Sequence, residues 1–208
     1  MSPTISSLVL PPYSKFKKKV FRNAGKVVDF IYQVGDSRIL REPSREVSSH
    51  KINSVDMKKK IAYLKDCLLK YRKLTGQGRA IAAVQVGICE RFAVIYTLEK
   101  LIIIINPKIT CSSKTFLKYP EICMSANPVI VPLARPAWIE FDYYDEKGLK
   151  KYWNTKDDTE QGRILNRVFQ HEIDHMDGII NLDLVENPKE LILHSDPDFY
   201  KNAKFEEV

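Results

Sequence analysis

The sequence predicts an α+β fold, with antiparallel or mixed β-sheets packed around a central helix that carries chemically active residues. Three observations predict it. A helical periodicity runs over 54–75, short β-rich runs with turn signals occupy the middle of the chain, and a second helical periodicity runs over about 158–177. Strands followed by a helix bearing chemistry indicate an α+β domain.

Segment 31–47, IYQVGDSRILREPSREV, mixes an apolar start with turn residues Gly35, Asp36 and Pro43 and reads as a loop-rich entry. Over 54–75, Ile61, Leu64, Leu68 and Tyr71 recur at helical spacing, with Ser54 as a candidate N-cap and Gly76 as a stop. The runs 92–96 and 101–105, separated by a charged turn at Glu99 and Lys100, suit paired strands. Ile139, Phe141 and Tyr143 alternate with Glu140 and Asp142, and the DEKG turn at 145–148 leads to a further run near Tyr152, which predicts a hairpin. Leu165, Val168, Phe169 and Glu172 are spaced by three or four, and Gly178 supplies the C-terminal stop of the second helix.

A chain of 208 residues that is 44% hydrophobic and 28% charged has the composition of one ordinary globular domain. We expect a basic N-terminal extension over 1–28 and one catalytic domain over 29–208, with a C-terminal tail from about 187. Lys15, Lys17, Lys18, Lys19, Arg22 and Lys26 cluster in the extension, and no acidic residue precedes Asp29. Such a stretch resembles an organelle transit segment and equally suits a solvated basic arm. The net charge of +7 favours acidic partners such as nucleic acid or a ribosome. No apolar run approaches the roughly 20 residues of a membrane helix. SSLVLPP, cut short by Pro11 and Pro12, does not suit a secretory signal. Cys67, Cys89, Cys111 and Cys123 form no C-x-x-C pair, so a reducing compartment fits best.

Chemistry concentrates in FQHEIDHMDG, 169–178. Residues four apart on a helix share one face, so His171 and His175 can reach one ion, and Glu172 stands beside them to handle a proton. Two histidines need a third ligand. Glu186, Glu190 and His194 follow the helix without ligand-like spacing, whereas Cys123 in YPEICMSANP offers a soft thiolate. In GRAIAAVQVG, 78–87, small residues permit close chain approach and Gln85 offers an amide donor that does not titrate.

Together GRAIAAVQ, EICMS and QHEIDH, in that order and spacing, resemble the three motifs of peptide deformylase, and the resemblance runs from about Ile31 to Asp183. QVGDSRIL resembles the mitochondrial and related branch. The resemblance implies a metal-dependent hydrolase that removes the formyl group from the N-terminal methionine of new polypeptides and releases formate. It implies Cys123, His171 and His175 as metal ligands, Glu172 as the proton-transfer group, and Gln85 with the Met124 backbone N–H as oxyanion donors. It also implies Fe(II) as the native ion, with zinc, nickel or cobalt as substitutes, and Arg135 paired with Glu121. For Asp174 either a neighbour-orienting role or a solvent-facing one stays open. The implied compartment is the mitochondrial matrix, another organelle or a bacterial cytoplasm. The sequence departs from the family pattern at Arg79, Ala80, Val84 and Ile122, which places substrate preference in question more than metal binding. Two rival readings remain. One is a general H-E-x-x-H peptidase whose third ligand is Glu186, Glu190 or His194. The other is a deformylase-like binding module that meets the ribosome or its RNA through the basic arm.

Overall fold

The computed structural model describes residues 29–36, 38–97, 99–193 and 203–208, so the basic extension expected over 1–28 and His194 lie outside it. The single helical turn α1 (Ser49–Ile52) precedes helix α2 (Val55–Thr75). Strands β1 (Ala80–Ala82), β2 (Phe92–Tyr96), β3 (Leu101–Ser112), β4 (Phe116–Ile122), β5 (Val129–Pro136), β6 (Ile139–Tyr144) and β7 (Lys150–Asn154) follow. Helix α3 (Glu160–Met176) and the two-residue strands β8 (Ile192–Leu193) and β9 (Glu206–Glu207) complete the order. The strands form a five-stranded sheet, β1-β2-β3-β6-β7, and a four-stranded sheet, β8-β5-β4-β9. Every pairing in them is antiparallel. No helix among the described residues is long and apolar enough to cross a membrane.

Local chemistry sets the ends of the helices. The Ser54 side chain accepts from the Met57 N–H at 3.1 Å, and Gly76, at φ 76°, closes α2 in the left-handed region that glycine tolerates. The second helix starts at Glu160, two residues later than the apolar periodicity suggests. The Thr159 hydroxyl caps it by accepting from Gly162 N–H at 3.0 Å.

The five-stranded sheet lies between the two long helices. Met57, Ile61, Leu64, Leu68 and Tyr71 of α2 pack with Ile81, Phe92, Val94, Ile103 and Ile105. Ala80, Ala82, Ala93, Ile95 and Phe141 belong to a second cluster, with Phe169, Ile173 and Met176 of α3. A strand covered on both faces has no polar side to show, which is why β2 reads FAVIY without alternation. Each fully buried large side chain contributes about 1.5–3 kcal/mol relative to exposure, so both helices are tied firmly to the sheet. The 92–96 and 101–105 runs pair as expected, Phe92 opposite Ile105, and β3 then continues beyond a register shift at Asn106 and Pro107. The Asn106 side chain there exchanges two hydrogen bonds with the Val47 backbone and pins the entry segment. The 139–154 hairpin forms as β6 and β7.

Gly178 ends the helix that carries the site, at φ 77°, and a Cβ there would lie 2.8 Å from the Arg41 backbone. Gly178→Ala should therefore lower stability by about 2 kcal/mol through strain and backbone displacement. Denaturant midpoints measure it, and a midpoint within error of wild type would contradict this packing.

Candidate metal centre

Helix α3 presents His171 and His175 one turn apart, with ring centroids 4.8 Å apart in an edge-on arrangement. Cys123 follows β4 directly and is fully buried; its Sγ lies 3.2 Å from His175 Nε2. One donor atom from each of Cys123, His171 and His175 lies within 4.8 Å of the other two. Metal–sulfur and metal–nitrogen bonds of about 2.3 and 2.0–2.1 Å allow one ion to be shared by donors grouped this closely. A thiolate with two imidazoles also suits a borderline-soft divalent ion, so these residues fit such a group.

The carboxylate of Glu121, at the end of β4, joins the elements that supply these donors. It accepts from Arg135 Nε at 2.6 Å and Nη2 at 3.0 Å, and it pairs with Arg167 Nη2 at 2.5 Å. Its other contact, at 3.2 Å, is His171 Nδ1, which fixes that ring. Burial alone would raise the Glu121 pKa, but Arg135, Arg167 and the hydrogen bond to His171 hold it well below the ordinary carboxylate value. Arg135 also donates to Asp174 at 2.6 Å, so the expected Arg135–Glu121 pair exists and Asp174 faces that arginine. Arg167, which the sequence reading passed over, is 5% exposed and donates to the carbonyls of Leu117, Tyr119 and Leu133. Its signal was its position four residues before His171, on the same helical face.

Gln85 is buried on the short turn after β1. Its Oε1 accepts from the Ala82 N–H at 2.9 Å, while its Nε2 donates to Ser125 Oγ at 3.1 Å and lies 3.9 Å from Cys123 Sγ. Ser125 is a second residue the sequence reading did not assign. It orients the Gln85 amide, and its own N–H approaches Cys123 Sγ at 3.4 Å. Glu172 is buried, and its Oε2 has no hydrogen-bond partner among the described residues. Burial pushes this carboxyl up to about 7, against the opposing pull of His171 and the Ala82 backbone. A carboxyl poised near neutrality can both take and return a proton.

A cleft of about 550 Å³ opens onto this centre; Gln85, Met124, His171 and Glu172 line it. Arg79, Ala80 and Ile122 line it too, whereas Val84 is buried in the core that includes Cys123. The Arg79 guanidinium is held by the Gln161 side chain at 2.8 Å, a neutral partner rather than an acidic one. Of the rival third ligands, Glu186 is exposed and Glu190 pairs with Lys118 at 2.6 Å. Among the described residues only Cys123, His171 and His175 cluster as metal-holding donors.

The chain is similar to known proteins of one family. The family model described as Polypeptide deformylase matches residues 28–190. A peptide deformylase of Prochlorococcus marinus (strain NATL2A) is 34% identical over 166 residues, covering 77% of this chain and 75% of that protein. Peptide deformylase 2 of Clostridium acetobutylicum is 37% identical over 153 residues, 74% of this chain and 93% of that one. The crystal structure of peptide deformylase from Thermotoga maritima superposes with a TM-score of 0.65 at 27% identity, over 76% of this chain and 97% of that chain. The Synechococcus elongatus peptide deformylase in complex with actinonin gives 0.65 at 28% identity, over 88% and 84%.

Removing the Glu121 charge tests how firmly the centre depends on it. Glu121→Gln leaves two buried guanidinium groups short of a counter-charge and should lower stability by about 3–5 kcal/mol. Because the folded pKa lies well below the ordinary 4.5, the gap should be complete above that pH and narrow on further acidification. Urea denaturation of wild type and variant across pH measures both effects. A gap below about 1 kcal/mol, the scale of an exposed pair, would show that the carboxylate is dispensable.

Proposed function

Since the chain belongs to the peptide deformylase family, we propose that Cys123, His171 and His175 hold one divalent metal ion and that Glu172 moves the protons of the family's reaction. The enzyme removes the N-formyl group from newly made polypeptides. The observation that carries the assignment of residues is the convergence of one sulfur and two imidazole donors beside a buried carboxyl oxygen without a partner among the described residues.

When bound, the ion supplies Lewis acidity that makes water nucleophilic near neutral pH and polarises the formyl oxygen. Glu172 Oε2 takes a proton from the attacking water as the new C–O bond forms. The same carboxyl then protonates the leaving amine nitrogen as the C–N bond breaks, so formate and a free N-terminus result. Gln85 Nε2 and the Met124 backbone N–H are the donors we assign to the oxygen that gains negative charge. Ser125 keeps the Gln85 amide in place for that role. The cleft lies between two sheet edges, β1 of one sheet and the cleft-lining end of β4 of the other. An extended formyl-methionyl peptide can pair its backbone with such edges.

Fe(II) is the native ion we propose, on family resemblance, with zinc, nickel or cobalt able to occupy the same donors; supply rather than intrinsic affinity decides among them. The basic residues over 1–28 support an encounter with the ribosome, where formylated chains emerge. A bacterial cytoplasm, mitochondrial matrix or other organelle is the compartment that fits such a substrate.

Formate release from a formyl-Met peptide, with the protein loaded with iron under anaerobic conditions, is the primary test. Glu172→Gln should keep one metal per chain while its turnover number falls by about 10²–10⁴-fold. Elemental analysis alongside the assay separates the roles: unchanged turnover removes Glu172 from the chemistry, and loss of metal would make it a ligand instead.

A further inference from the structure

The C-terminal strand β9 lies on the same edge of β4 that leads into the cleft. Glu206 stands opposite Lys118 and Glu207 opposite Leu117. The Phe205 ring stacks on Tyr119, with centroids 4.3 Å apart. Tyr119, Pro120 and Ile122 in turn line the cleft.

The direction of backbone groups along β4 can be followed from one bond. Val208 N–H donates to the Phe116 carbonyl at 3.1 Å. Alternate residues of a strand point their backbone groups to the same edge, so Lys118, Pro120 and Ile122 also face the side that β9 occupies. The Leu117 and Tyr119 carbonyls accordingly face away, where Arg167 takes them together with Leu133 of β5. Lys118 is opposite Glu206, and Pro120 has no N–H, which leaves Ile122 as the full donor–acceptor position on the stretch beside the centre.

A formylated substrate has its N-terminus at Cys123, His171 and His175, next to the C-terminal end of β4. A peptide leaving that point along the β4 edge runs antiparallel to β4, in the direction that β9 also takes. At about 3.4 Å per residue, the stretch beside Ile122, Glu121 and Pro120 holds about three substrate residues. The fourth meets the Phe205 ring on Tyr119, and the fifth meets the place of Glu206.

Resting on the deformylase reading of the cleft, we infer that the chain's own C-terminal strand competes with the downstream part of the substrate and makes the enzyme selective for peptide length. Formyl-Met peptides of up to three residues fit without disturbing it. Longer ones must displace Phe205 and the β9 pairing, so their KM rises while kcat stays level. The expected penalty is about tenfold, the scale of one net strand hydrogen bond or one aromatic stack.

The experiment compares kcat/KM on formyl-Met-alanine peptides of two, three, five and eight residues, for full-length wild type and the full-length double variant Phe205→Ser, Glu206→Pro. Wild type should fall about tenfold between three and five residues. The variant should keep the dipeptide value and lose the fall. Wild-type activity independent of length, or a variant that keeps the fall, overturns the inference while leaving the deformylase reading intact. Absence of formate from the dipeptide with wild type would sink that reading, and the inference with it. If the double variant loses dipeptide turnover, Phe205→Ser alone decides: an undiminished fall in it overturns the inference, and a reduced one supports it.

Discussion

A buried carboxylate cannot stand uncompensated in a protein interior, and the way Glu121 meets that constraint organises the centre. Its two oxygens are shared among Arg135 on β5, Arg167 on α3 and His171 one turn further along α3. Each partner comes from an element that must be placed correctly for Cys123, two residues beyond Glu121, to meet the histidines. Breaking such a cluster costs far more than an exposed ion pair, because a charge would be left desolvated. Arg167 adds a mechanical link, since its guanidinium also takes carbonyls of both β4 and β5. Cys123 and the two histidines, the proposed metal donors from two distant stretches of sequence, thus meet through a charge network buried beneath them.

Around this frame the departures from the family pattern separate by location. Val84 packs in the core and is absent from the cleft wall, so it is a packing variation. Ala80 and Ile122 add carbon atoms where the two sheet edges border the cleft, and Ile122 does so at a position whose backbone faces the substrate side. Arg79 brings a half-buried cation to the same wall, beside Arg72 and held by the neutral Gln161. None of the four is itself a candidate metal donor, and three of them, Arg79, Ala80 and Ile122, lie on the cleft wall.

The sequence revealed those parts of the structure whose causes are local. Ser54 and Gly76 mark α2 because capping is a matter of a few consecutive residues, and QHEIDH reveals a shared helical face for the same reason. Strands β4 and β5 escaped because Pro120, Pro132 and Pro136 look like breakers. In the sheet Pro120 stands opposite Pro132, a pairing that asks neither for an N–H. Strand β1 is only three residues, Ala-Ile-Ala, all buried and without alternation, while β8 and β9 are too short to leave a pattern. Arg167 shares a helical face with His171, but its role and that of Ser125 lie in partners 46 and 40 positions away, Glu121 for one and Gln85 for the other, which no local pattern shows.

Glu121 brings the cysteine after β4 to the histidines of α3, where the proposed ion would be held. X-ray absorption on the zinc-loaded, full-length protein reads that arrangement directly. It predicts one sulfur at about 2.3 Å and two imidazole nitrogens at about 2.0–2.1 Å per metal. A stoichiometric ion surrounded only by nitrogen and oxygen would contradict it.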